Sequence, residues 1–277
     1  MGCGIVKVGT SIWLAVVRFF LFVILTVLLL LPYILCFSAW PRAHYAARSA
    51  WARMACRLLG LRVHVIGAAY RQGTVLYASN HVSYLDIPVL AGPLAATFVA
   101  KSEVADWPVL GLLSKWGRTV FIKRSASEAK AQTVMLRERL AGGESLILFP
   151  EGTSTDGNGI MPFKSSLFNI AENLPAETNL VVQPVSVTYV RTIEGTPLVG
   201  PLTELYCWYG DATLLPHLMR VFGLKGAIIE VRFHEPIPVG VRTGRKDLAR
   251  RCEAAVAKGV ATSHAGNGEP RRRAAAT

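Results

Sequence analysis

The chain is poor in acidic residues, has no paired cysteines, and lacks several motifs that would settle its chemistry at once. Eighteen Asp and Glu stand against thirty Lys and Arg, a formal net charge of +12 over 277 residues. That balance draws anionic lipid headgroups, an acidic carrier protein or a phosphorylated donor. Nucleic acid would share the attraction, but no zinc-finger spacing, aromatic RNA-binding signature or helix-turn-helix pattern is present. The five cysteines, Cys3, Cys36, Cys56, Cys207 and Cys252, contain no Cys-x-x-Cys pair. An odd, scattered set argues against a disulfide framework and a structural zinc site, and it suits a reducing, cytoplasm-facing domain. No Walker P-loop and no internal repeat occur. The Gly-x-Ser-x-Gly elbow of α/β serine hydrolases is also missing, because Gly152-Thr153-Ser154-Thr155-Asp156 fails at its last position.

What the chain has in excess is apolar surface. Hydrophobic residues make up 52% and the mean hydropathy is +0.37, concentrated near the N-terminus. Phe19 to Phe37 carries no charge and as a helix would cover roughly 28 Å, about the thickness of a bilayer's hydrocarbon core. The segment reads as a transmembrane helix or, because Pro32 interrupts it, as a helical pair dipping into one leaflet. A cleaved signal fits worse, since no Ala-x-Ala-like site follows. Arg42, Arg48, Arg53 and Arg57 come next, against only Lys7 and Arg18 upstream, which by the positive-inside rule places the rest of the chain in the cytoplasm. Trp40 to Leu59 interleaves Trp40, Tyr45, Trp51 and Met54 with those arginines and reads as an amphipathic interfacial helix, the alternative being a helix packed on the main domain. The expected organisation is an anchor and interfacial helix over 1–58, a catalytic domain over 59–262 and a disordered basic tail over 263–277, which holds Arg271-Arg272-Arg273.

Beyond Leu59, apolar strands alternate with amphipathic helices. Strands are predicted at Val63 to Ile66, Val75 to Ser79, Thr97 to Ala100, Thr119 to Ile122, Ser145 to Phe149, Val181 to Tyr189 and Ile228 to Phe233. Several are continuous apolar runs, as in strands covered on both faces. One helix is predicted from Ser125, capped reciprocally with Glu128, to just before Gly142-Gly143, and another from Lys246 to about Lys258. The fold class is therefore α/β, with a mixed central sheet flanked by helices and an N-terminal membrane-embedded helical segment.

Four blocks carry chemistry. In Asn80-His81-Val82-Ser83-Tyr84-Leu85-Asp86, His81 and Asp86 on one helix would point about 140° apart. If the strand ends at Asn80 and a helix starts near Ser83, Asp86 lies in its first turn, with Ser83 as the other half of a capping box, and the imidazole can reach the carboxylate. Asp86 would then hold one ring nitrogen and leave the other to take a proton, the orienter-and-base logic of a triad whose nucleophile is the missing member. Gly117 to Arg124 ends a strand on Lys123-Arg124, a pair suited to phosphate, and Lys101 follows another strand. Phe149-Pro150-Glu151-Gly152-Thr153 places Glu151 at the carboxyl edge of the sheet, with Gly152 permitting a tight turn. Val182-Gln183-Pro184-Val185 is the fourth block.

In this order, over roughly Leu61 to Val190, the blocks resemble the glycerolipid acyltransferase family, in particular lysophosphatidic acid acyltransferases. The resemblance implies acyl transfer from acyl-CoA or an acyl-carrier protein to the free hydroxyl of a lysophospholipid, with no bound cofactor and no metal. It implies His81 as general base and Asp86 as its orienter. It gives Arg124 and Lys101 an acceptor phosphate, and has Glu151, Gly152 and Thr153 shape the acceptor site. Lysophosphatidic acid is the first acceptor expected. Two departures stand out: Lys123 replaces an acidic or amide residue, and Ser154 replaces an Arg. The second weakens the case for a phosphate monoester and raises that of lyso-ornithine lipid. A membrane-binding scaffold without catalysis would need the apolar anchor and the basic surface but not the His81 and Asp86 pair. Trp208-Tyr209-Gly210-Asp211 lies outside the blocks and reads as acceptor or chain selection, or simply as buried aromatics.

Overall fold

A computed structural model describes residues 9–36, 41–107, 110–123, 125–240 and 243–266. In chain order the elements are α1 (Ile12–Cys36), α2 (Pro41–Leu58), β1 (Leu61–Ile66), β2 (Val75–Ser79), α3 (Asp86–Ala91), β3 (Thr97–Lys101), α4 (Leu110–Trp116), β4 (Val120–Ile122), α5 (Ala126–Ala141), β5 (Leu146–Leu148), β6 (Val181–Thr192), α6 (Leu214–Gly223), β7 (Ala227–Phe233), β8 (Ile237–Pro238) and α7 (Arg245–Ala265). The strands form one mixed, mostly parallel sheet in the order β1-β7-β6-β2-β5-β3-β4, with β8 against β6. Strands β6, β2, β5, β3 and β4 are mutually parallel, so the carboxyl ends of β2, β5, β3 and β4 line one edge. Strand β7 runs antiparallel to β6 and pairs in parallel with β1.

Helices cover both faces, and two apolar clusters separated by the sheet account for the continuous apolar strands. All five residues of β2 are buried, as a central parallel strand requires. Strand β6 contains Pro184, which cannot donate to a ladder. It is tolerated because β6 changes partner there: Val181 and Val182 pair with β8, and β7 takes over from Val185. The Gln183 side chain occupies the junction, accepting from the Tyr70 amide and donating to the Ala68 and His234 carbonyls.

Helix α1 is not an isolated rod. Ile12–Leu29 has the length and hydropathy, 2.7, to cross a membrane, and the helix continues through Pro32 to Cys36. One side nevertheless packs on the domain. Phe19 and Phe22 meet Phe222 of α6 edge-on at 6.0 and 5.7 Å, Trp51 Nε1 donates to Thr26 Oγ1, and the Arg18 guanidinium covers the Phe222 and Leu224 carbonyls at the α6 C-terminus. Full burial of a Phe such as Phe222 is worth about 1.5–3 kcal/mol. The opposite side leaves Ile12, Trp13, Phe20, Ile24 and Leu28 exposed.

Several local expectations need correction. Helix α2 packs one side on the domain: Arg48 is buried and donates to the Leu94 carbonyl, Tyr45 reaches Thr97, and Ala52, Ala55 and Cys56 join the core, while Arg53, Met54 and Arg57 stay exposed. The alternative of a helix packed on the main domain describes that inner side; Trp40 lies outside the described residues. The capping box on α5 does not form. Ser125 Oγ is taken by Ser127 and the Glu128 carboxylate by Lys123 and Gln132. Helix α7 continues beyond Lys258 to Ala265, and Arg271-Arg272-Arg273 lies outside the described residues. Helix α6 has no counterpart among the elements predicted from sequence.

Candidate active site

The site begins where β2 stops. Past Ser79 the chain leaves β6, and the buried Asn80 side chain takes over the ladder: Oδ1 accepts from Val187 N at 2.8 Å and Nδ2 donates to Val187 O at 2.9 Å. The amide satisfies the two groups that the departing strand would have paired, so the backbone can turn at His81. The turn that follows β5 then holds the His81 peptide at both ends. The His81 N–H donates to Glu151 Oε1 at 2.8 Å, and the His81 carbonyl accepts from the Thr155 N–H at 2.9 Å. Gly152 sits in that turn at φ +70, a conformation glycine adopts freely.

Asp86 is fully buried and heavily used. Its Oδ2 lies 2.8 Å from His81 Nδ1 and accepts the Val82 and Ser83 N–H groups at 2.8 and 3.0 Å. Its Oδ1 accepts the Tyr189 hydroxyl at 3.2 Å. The carboxylate thus has the partners a buried polar group requires. It also fixes the tautomer, because Nδ1–H must face Asp86 and Nε2 is left free of it. The proposed capping box is half correct. The carboxylate reaches back to the Ser83 amide, but the helix starts at Asp86 itself and the buried Ser83 hydroxyl has no partner. The His81 ring stacks on Phe149 at 4.2 Å, Phe149 faces Phe98, and the imidazole keeps about a fifth of its surface exposed at 22%. One ring face is thereby dry while the Nε2 side stays accessible.

Glu151 is buried, and each of its oxygens accepts a backbone amide, Oε1 from His81 and Oε2 from Met161 at 2.7 Å. Burial pushes its carboxyl up to about 7, against the pull of those two amides. Its evident work is to hold the His81 backbone. Thr153 is exposed at the tip of the turn and Gly152 half-buried.

The cations lie across the same edge. With neighbouring strands about 4.8 Å apart, the order β2-β5-β3-β4 sets Lys101, at the end of β3, roughly 10 Å from the β2 line, and Lys123, just past β4, roughly 14 Å. Lys101 is half-buried, whereas Lys123 is exposed and pairs with Glu128 at 3.2 Å. Arg124 lies outside the described residues. The structure thus brings His81, Asp86 and Glu151 into direct contact and sets the cations to one side. Sequence reasoning missed Asn80's ladder role, Tyr189, Thr155 and Phe149 as parts of the site. Asn80 and Phe149 stood inside quoted blocks, but Tyr189 is 103 positions from Asp86 and no local pattern marks it.

Residues 60–188 match the acyltransferase family. Over 206 residues, 73% of this chain and 76% of the relative, the sequence is 40% identical to the lyso-ornithine lipid O-acyltransferase of Brucella abortus (strain 2308). The chain belongs to the acyltransferase family. The matched region holds every site residue named above except Tyr189. A second relative of this acyltransferase, the lyso-ornithine lipid O-acyltransferase of Pseudomonas aeruginosa, is 35% identical over 74% of this chain and 75% of its own. The 1-acyl-sn-glycerol-3-phosphate acyltransferase of Neisseria gonorrhoeae is 34% identical over 57% of this chain and 58% of its own. In solved structures, the acyltransferase fold seen here resembles the 1-acyl-sn-glycerophosphate acyltransferase PlsC of Thermotoga maritima, with a TM-score of 0.65 over 90% of this chain and 95% of that one. At 20% identity that likeness is one of fold.

Proposed function

We propose that this acyltransferase moves an acyl chain from a thioester donor, acyl-CoA or an acyl-carrier protein, to a free hydroxyl of a lysolipid at the membrane. The observation that carries the chemistry is the Nδ1 of His81 held on the buried Asp86 carboxylate. Nε2 removes the proton from the acceptor hydroxyl as its oxygen attacks the thioester carbonyl. Asp86 stabilises the imidazolium formed, and the departing sulfur takes the proton when the tetrahedral intermediate collapses. No enzyme-bound acyl group is required. A non-catalytic scaffold would have no use for a histidine whose tautomer is set by a four-bonded carboxylate.

For the acceptor, the order expected from sequence reverses: lyso-ornithine lipid stands ahead of lysophosphatidic acid. Relatives named for the first align over about three quarters of both chains, and the relative named for the second over little more than half. Ser154 agrees with this, since a cation suited to a phosphate monoester is absent from that turn. The exposed apolar side of α1 enters the bilayer, the domain rests against its other side, and the arginines after α1 favour the cytoplasmic face.

Purified protein in detergent micelles, given labelled acyl-CoA or acyl-carrier protein and a panel of lysolipids, should form acylated ornithine lipid in preference to phosphatidic acid by mass analysis. The reverse preference would return the acceptor to lysophosphatidic acid. His81→Ala should lower transfer by about 10²–10⁴-fold while membrane association persists. Undiminished transfer would end the proposed chemistry.

A further inference from the structure

The catalytic loop is held from the sheet side by Asn80, Glu151 and Thr155, but it also has an outer side, and there a second histidine meets it. The Tyr84 hydroxyl lies 3.0 Å from Nδ1 of His217 on α6, with the two rings edge-to-face at 5.6 Å. Tyr84 also packs edge-on against Trp208 at 5.9 Å, and the Trp208 amide donates to the Val82 carbonyl at 2.8 Å. The Tyr84 carbonyl accepts the Ile87 amide and so helps start α3, the helix whose first residue is Asp86. A shift of Tyr84 is therefore a shift of the carboxylate that aims His81.

The imidazole at 217 does more than fill space, because it bridges the loop and the backbone beyond it. His217 is 6% exposed, with the Tyr84 hydroxyl at Nδ1 and the Glu204 and Cys207 backbone carbonyls beside its ring. A buried imidazole needs partners for both ring nitrogens, a demand an aliphatic side chain does not make. What an aliphatic side chain lacks is the bond to Tyr84. Burial, with Arg220 nearby, holds His217 down to about 4, and burial holds the Tyr84 phenol above its usual range. The pair is therefore neutral and intact throughout the physiological pH range. Helix α6 is itself fixed to α1 by Phe19, Phe22 and Phe222 and by the Ser11 amide on the Gly223 carbonyl. The contacts run without a gap from the apolar helix through α6 to the loop.

We propose that His217 is a positioning residue for acyl transfer, acting through Tyr84 to fix the loop that carries His81 and Asp86 at a set height above the membrane helix. This rests on the reading that His81 and Asp86 perform the chemistry. A small displacement of a general base is costly: about 1 Å can lower a rate 10²-fold.

The test is a set of variants of the full chain assayed in one micelle composition: Tyr84→Phe, His217→Leu, the double variant, and His217→Asn, whose amide can take the place of Nδ1 toward the hydroxyl. Tyr84→Phe and His217→Leu should each lower kcat about tenfold, with KM for donor and lysolipid within about twofold. His217→Asn should recover most of the loss, and the double variant should be no slower than the slower single one. Thermal unfolding confirms that each variant is folded. If His217→Leu does not fold, Tyr84→Phe and His217→Asn still decide the matter. Wild-type kcat in Tyr84→Phe or His217→Leu, equal slowness of Asn and Leu, or additive losses in the double variant would each overturn the positioning role. An inactive His81→Ala beside a fully active His217→Leu refutes this inference alone, whereas an active His81→Ala refutes the reading beneath it.

Discussion

The two halves of the candidate site are built to different standards. On the β2 and β5 side, His81, Asp86 and Glu151 are joined by hydrogen bonds in which almost every partner is a backbone group or a buried side chain. On the β3 and β4 side, Lys101 is half-buried and Lys123 is an exposed cation in a surface ion pair, an arrangement worth little in water. The difference teaches where variation is tolerated. The proposed chemistry removes a proton at one point in space, and the histidine assigned to it is held rigidly. Cations on the β3 and β4 side can change without disturbing the base, because no hydrogen bond named above joins them to it. Relatives named for two different acceptors on one family framework fit that division.

The sharpest way to break the comparison is Asp86→Asn. An amide cannot accept all four bonds made to the carboxylate and releases the Nδ1 tautomer, so kcat should fall about 10²–10⁴-fold, with a stability loss of several kcal/mol from the buried groups left unpaired. Steady-state rates and urea unfolding measure both. A rate near wild type would mean that the rigid half is not the chemical half.

Glu151→Gln comes next. Its NH2 group must face one of two backbone donors, costing about 1–3 kcal/mol in urea unfolding. The wild-type carboxyl titrates at about 7 in the fold against 4.5 when exposed, so between those values the folded chain holds the proton more tightly than the unfolded one. Its contribution to stability is thus fullest below pH 4.5, falls as pH rises through 7, and is flat above. The variant should lose that slope, and an unchanged pH profile would remove Glu151 as its source.

The smallest effect is expected on the other side. Lys101→Ala should raise the acceptor KM a few-fold with kcat within about twofold, and Lys123→Ala should do less. If Lys101→Ala reduced kcat as deeply as Asp86→Asn, the two halves would not differ in kind and the cation would belong to the chemistry.

Much of this was legible because the patterns involved are local. Continuous apolar runs marked the central strands to within a few residues, and the blocks at 80–86 and 149–153 put the base, the carboxylate and Glu151 at strand ends. Less legible were features in which one element chooses among partners. Ser125 and Glu128 have the spacing of a capping box, yet Lys123 and Ser127 compete successfully for their side chains. Helix α6 begins Leu214-Leu215-Pro216, and that proline reads as an interruption although a first turn tolerates it. The recurrence of His217, Leu218, Val221 and Phe222 on one face was the signal available.

By itself the sequence determined the α/β class and the apolar N-terminal helix, because each follows from periodicity or composition, and it offered the pairing of His81 with Asp86 on condition that a helix start just after the turn. Only the tertiary structure decided that Glu151 holds the His81 backbone, that Asn80 replaces a rung of the β2 and β6 ladder, and that Tyr189 completes the shell of Asp86. Those depend on bonds between residues 70 to 107 positions apart, and such bonds exist only once the sheet has brought the strands side by side. The same holds for α1, whose composition says it is apolar but whose packing on α6 says which face is left exposed.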